Sequence, residues 1–143
     1  MAVAAFAPLD VDGEPQRRTH GLPPTCERPC VDLAHLRRFT LGDRLLEDEV
    51  LGLFEQQAGE VIATLGRATQ SRDWTMATHT VKGSARAVGA FEVASIAERL
   101  ETEGPDGTRT RQLIEEIEAA LGRARRFIAA NRLTNAGEML AHR

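Results

Sequence analysis

HTVKGSARAVGA, the run from His79 to Ala90, puts an imidazole, a lysine three residues on and a glycine four residues on into what otherwise reads as a helix. The apolar residues around it settle the period. On a wheel of about 100° per residue, Trp74, Ala77, Val81, Ala85 and Val88 share one side. Thr75, Met76, His79, Lys82, Gly83, Arg86 and Ala90 share the other. The first set is a core stripe, so His79 projects towards solvent. Glycine inside a helix costs about 1 kcal/mol relative to alanine. A side chain at position 83 would lie over the turn before it, which means over the imidazole. Gly83 therefore clears space beside the ring.

The same periodicity extends in both directions. Asp32 suits the N-cap of a short helix carrying Leu33, Leu36 and Phe39, which Thr40-Leu-Gly-Asp43 breaks. Asp43 then caps a long helix from about Arg44 to about Gln70. Its apolar positions are Leu46, Val50, Leu53, Phe54, Ala58, Val61, Ile62 and Leu65. Gln57 falls on that same side, where a buried amide would need a partner such as Ser84. Ser71-Arg72-Asp73 reads as a connector, with Asp73 the N-cap of the motif helix starting at Trp74. Gly89 bends that helix or ends its first part. Val93, Ile96, Ala97 and Leu100 continue the pattern. Gly104-Pro105-Asp106-Gly107 is a turn. Thr108 suits the cap of a last helix with Leu113, Ile117, Ala120, Leu121, Ala124 and Ile128 as its stripe. Arg123, Arg125, Arg126 and Arg132 follow, placed as for the C-terminal end of the helix dipole.

Residues 1–30 hold five of the six prolines and show no period, which predicts a disordered or loosely docked tail. No segment has the alternation of a strand. The expected fold is all-α: an antiparallel four-helix bundle with a short N-terminal helix over 31–135, and a C-terminal tail over 136–143.

Composition narrows the function. The 143 residues suggest one domain with a modest core. A net charge of −3 offers no reason to expect nucleic acid or an anionic membrane as partner. No apolar run approaches a membrane span, and the N-terminus lacks the basic start of a secretory signal. A cytoplasmic protein, monomeric, is the expectation. Cys26 and Cys30 with His20 and His35 can be drawn as four metal ligands, but they form no known zinc pattern. Two free thiols in a tail is the simpler reading, and no metal site is expected. His142 has no evident partner. Glu98, Glu101 and Glu103, like Glu115, Glu116 and Glu118, read as solvated helix faces. No phosphate loop, Ser-His-Asp set or nucleotide motif is visible.

Phosphoryl chemistry fits the His79 face. A neutral imidazole is a competent nucleophile near pH 7. Lys82 can reach a phosphoryl group on it as a point charge, and Arg86 extends the positive field. The stretch Ala77-Thr78-His79-Thr80-Val81-Lys82-Gly83-Ser84-Ala85-Arg86-Ala87-Val88-Gly89-Ala90 resembles the signature of histidine phosphotransfer (HPt) domains of bacterial phosphorelays, of alphaproteobacterial type. Thr78 departs from the alanine usual there. The resemblance covers about residues 32–132.

It implies a four-helix bundle in which His79 is phosphorylated and relays the group between receiver-domain aspartates. It also implies that Lys82 neutralises the group, that Gly83 admits the receiver, and that Ser84 packs or hydrogen-bonds behind the site. Thr75, Met76 and Ala90 are the candidate docking residues, with Lys82 and Arg86 at the rim. Partners would be response-regulator receivers and a hybrid histidine kinase. No cofactor is expected on this chain, the receiver bringing Mg²⁺. Two alternatives stay open: a helical adaptor that is never phosphorylated, and a substrate domain phosphorylated directly by a kinase.

Overall fold

A computed structural model of the chain describes residues 29–67 and 70–141. The tail expected over 1–30, with His20 and Cys26, lies almost wholly outside them, as does His142. Five helices follow one another: α1 (Leu33–Thr40), α2 (Arg44–Leu65), α3 (Ser71–Val88), α4 (Phe91–Glu103) and α5 (Thr110–Ala141). The described residues contain no strand. The helices α2 to α5 form an antiparallel bundle, each packed on the next and α5 closing back on α2, while α1 lies across α2 and α3. None of the described helices is long and apolar enough to cross a membrane.

Local chemistry sets most of the helix ends. The Asp32 carboxylate accepts the His35 N–H at 3.1 Å, and that of Asp43 accepts the Leu46 N–H at 3.1 Å, so α1 and α2 begin where their caps predict. Four ends differ from expectation. The α3 helix begins at Ser71, and Asp73 sits in its first turn instead of capping it, where its charge suits the helix dipole. The α5 helix begins at Thr110, one residue later than a Thr108 cap predicts, and the Glu103 carboxylate accepts the Arg109 N–H just before it at 3.0 Å. The α2 helix stops at Leu65, short of Gln70. By contrast α5 runs on to Ala141, through the stretch expected to be a C-terminal tail.

The core confirms the stripe of α5 throughout: Leu113, Ile117, Ala120, Leu121, Ala124 and Ile128 are all buried. Trp74 is buried in α3 and its indole N–H donates to the Leu100 carbonyl of α4 at 2.8 Å. On α2 the buried positions are Glu47, Leu51, Phe54, Ala58, Ile62 and Leu65; the last four are as expected, while Glu47 and Leu51 take the places expected of Leu46 and Val50. Leu46 and Leu53 are exposed and Val50 and Val61 half-buried. A carboxylate opens the real stripe and hides it. Glu47 is fully buried, and the Arg37 guanidinium of α1 grips it with bonds of 2.9 and 3.2 Å.

Two arginines of α5 clamp α2 instead of serving a helix end. Arg125 donates to the Glu55 carbonyl at 3.2 Å and Arg132 to the Asp48 carbonyl at 3.1 Å. Each guanidinium crosses α2 over a glycine. A Cβ on Gly59 would run into Arg125, and one on Gly52 would stand 3.0 Å from Arg132. Arg123 pairs with Glu92 of α4 at 2.7 Å.

Candidate functional site

The α3 helix presents two faces, as its sequence predicts. Trp74, Val81, Ala85 and Val88 are buried and Ala77 half-buried. Thr75, Met76, His79, Gly83 and Arg86 are exposed. Met76 keeps 59% of its surface, so an apolar side chain stands in solvent one turn before the imidazole. No described residue hydrogen-bonds the His79 ring, which leaves its nitrogens open to solvent and to a visitor. A Cβ built on Gly83 meets nothing within 4 Å.

Thr78 shows how a polar residue takes the position before His79. It is fully buried, and its hydroxyl donates back to the Trp74 carbonyl at 2.9 Å, so it brings no unpaired group into the core. Ser84 behaves alike: half-buried, with its hydroxyl on the Thr80 carbonyl at 3.1 Å.

Two expected site residues are corrected. Gln57 is exposed, and no hydrogen bond joins it to Ser84. Gln57 lies beside the buried Phe54, Ala58 and Ile62 stripe, on the side of α2 that faces outward. Ala90 is fully buried and unavailable for docking. The wheel that placed it beside His79 holds only as far as α3 itself. Gly89, at φ +86°, ends that helix in the left-handed conformation. The Ala90 N–H then bonds the Ala85 carbonyl at 2.8 Å and the Gly89 N–H the Arg86 carbonyl at 3.3 Å, which closes the helix and turns Ala90 inward. Gly89 therefore ends the helix, the second of the two outcomes left open for it.

The cations on this face have partners that the sequence does not announce. Lys82 Nζ lies 2.8 Å from Glu101 Oε1, and Arg86 Nη2 lies 3.0 Å from Glu98 Oε1. Both acids belong to α4, read from sequence as a solvated face. The antiparallel register pairs them: one turn forward on α3 is one turn back on α4. The Lys82 hydrogen bond holds the Glu101 carboxyl below the usual carboxylate range, against partial burial, with the charges of Lys82, His79 and Arg86 adding to the effect.

Among the described residues no group of three or more His, Cys, Asp and Glu side chains is gathered as metal ligands would be. Cys30 is half-buried and packs against the core. His35 is also half-buried, edge-on to Phe39 and Phe91 with ring centroids 5.5 and 5.2 Å away.

The family model of the Hpt domain matches residues 49–127 of this chain, which includes all of α3 and α4. The chain belongs to the Hpt domain family. That membership places it in phosphorelay phosphotransfer. Its fold is similar to the crystal structure of the histidine phosphotransferase ShpA from Caulobacter crescentus. The sequence identity is 37% and the TM-score 0.61, over 78% of this chain and 98% of that one. No curated protein matches it significantly in sequence. The matched residues include the exposed face of α3, and the all-helical fold is similar to the family's.

Proposed function

We propose that this Hpt protein relays a phosphoryl group between receiver-domain aspartates through His79, as a carrier and not as a kinase. The observation that carries the reading is Gly83. The glycine weakens α3, and the fold gains nothing from it: its backbone is helical and a Cβ would meet open space. The gap lies beside an exposed imidazole with free nitrogens. A use outside the fold, room for an incoming protein, accounts for it.

In the forward step a lone pair on a ring nitrogen of His79 attacks phosphorus. The bond from phosphorus to the aspartyl oxygen breaks and its electron pair returns to the carboxylate. The reverse step hands the group to the aspartate of a second receiver. The chain's own contribution is position: α3 holds the ring outward on a rigid helix, and Lys82 lies one turn away from the developing charge. The receiver brings the acidic pocket and, with it, Mg²⁺. Met76 and Thr75 are the docking residues that remain accessible, and the contact is of the small, transient kind.

Chemical stability of the label tests the linkage. Label taken from a phosphorylated receiver should be acid-labile, base-stable and located by peptide mapping at His79. Failure of any receiver to label the chain favours the adaptor. Label arriving only from an ATP-loaded kinase favours the kinase-substrate domain.

A further inference from the structure

Lys82 is already engaged before any phosphate arrives. Its ion pair with Glu101 has side chains 17% and 26% exposed, whereas the Arg86–Glu98 pair has side chains 53% and 58% exposed. The Lys82–Glu101 pair is thus the better shielded of the two and the less weakened by solvent. Lys82 also lies one turn from His79, the reach of neighbouring side chains on a helix. A phosphoryl group on the ring adds up to about two negative charges beside it. Two anions then share one ammonium. If Lys82 turns to the phosphoryl oxygens, the partly buried Glu101 carboxylate loses its partner. If Lys82 stays, the phosphoryl group is less well neutralised and faces a carboxylate. Either arrangement raises the free energy of the phosphorylated protein and leaves the free protein untouched.

We propose that Glu101 is a positioning residue that competes with the phosphoryl group on His79 for Lys82, and so keeps the group ready to leave. The proposal rests on His79 being the phosphorylated residue. Glu101 exchanges no atoms. When the group departs, the N–P bond breaks, its electron pair returns to the ring, phosphorus passes to an acceptor carboxylate or water, and Lys82 recovers Glu101. The acid that seemed only to solvate α4 would set how long the protein keeps its cargo. Glu98 makes a similar bond to Arg86, but in a more exposed pair that lies further along α3, and its effect should be smaller.

The test uses the full chain and a partner-independent donor, phosphoramidate, with phosphohistidine followed by ³¹P NMR. Glu101→Gln should lengthen the half-life of the phosphorylated protein roughly two- to fivefold, the strength of a partly exposed ion pair expressed as a ratio. It should also shift the partition with a receiver domain towards this protein by a similar factor. Glu101→Asp should restore most of the wild-type lifetime, and Glu98→Gln should change it less. Equal half-lives in wild type and Glu101→Gln, both labelled at His79, would overturn the role of Glu101 alone. An equal lengthening in Glu98→Gln would overturn its assignment to the Lys82 pair. No label at His79 in the wild type would overturn the reading of His79 and this proposal with it.

Discussion

The Asp32 N–H donates to the Gly89 carbonyl at 2.9 Å, and the two backbones lie so close that a Cβ on Gly89 would stand 2.6 Å from the Asp32 carbonyl oxygen. The chain before α1 is thereby fastened to the end of the helix that carries His79. Gly89 meets two demands, a positive φ and a close backbone approach. Gly89→Ala should cost about 2–3 kcal/mol, measured as a lower urea midpoint with an unchanged slope.

Gly83 makes the opposite prediction. With open space at its Cβ position, Gly83→Ala should raise stability by up to about 1 kcal/mol through helix propensity. A large side chain such as Gly83→Leu should leave the circular dichroism spectrum unchanged and slow phosphotransfer at least tenfold, by blocking the approach to His79. A glycine kept for the fold would lose stability in both variants.

The Arg37–Glu47 pair joins α1 to α2 with a carboxylate buried entirely and an arginine 41% exposed. Arg37→Met removes the partner and leaves Glu47 in the core. The expected cost is about 3 kcal/mol, towards the lower end for breaking a buried pair because Arg37 still meets water. Adding Glu47→Leu should recover much of it. Chemical denaturation of the two single variants and the double variant closes the cycle.

The Glu101 carboxyl titrates below its ordinary value in the folded protein because of Lys82. The unfolded chain therefore binds more protons across that interval, and stability rises with pH there. The pair's contribution is complete above about pH 4.3, the ordinary carboxylate value, and is lost as pH falls through the lower folded value. Urea midpoints of wild type and Glu101→Gln should differ by under about 1 kcal/mol near neutral pH. The gap should close as the pH is lowered, and a gap that widened in acid would reverse the sign.

Much of this molecule is legible in its sequence where one helix suffices to read it. The stripe of α5, the caps Asp32 and Asp43, and the outward face of His79 depend on local period and local hydrogen bonds. Where tertiary partners intervene the reading shifts. Glu47 is a charge in a core position, tolerable only because Arg37 comes from another helix, so the first turns of α2 read with Leu46 and Val50 where Glu47 and Leu51 are buried. Gln57 borders the stripe, and spacing alone does not say that it faces outward. Ala90 looks outward only if α3 continues, and the left-handed Gly89 stops it. The partners of Lys82, Arg86, Arg125 and Arg132 follow from the register between helices, which no spacing along a single helix encodes.

The central claim is that His79 carries phosphate, and one experiment meets it directly. A phosphorylated, ³²P-labelled receiver domain that donates to the wild-type chain is incubated with wild type and with His79→Gln, the two matched in circular dichroism and thermal midpoint. Label should pass to the wild-type chain within the assay and not at all to His79→Gln. Equal labelling of the His79→Gln protein would contradict the account.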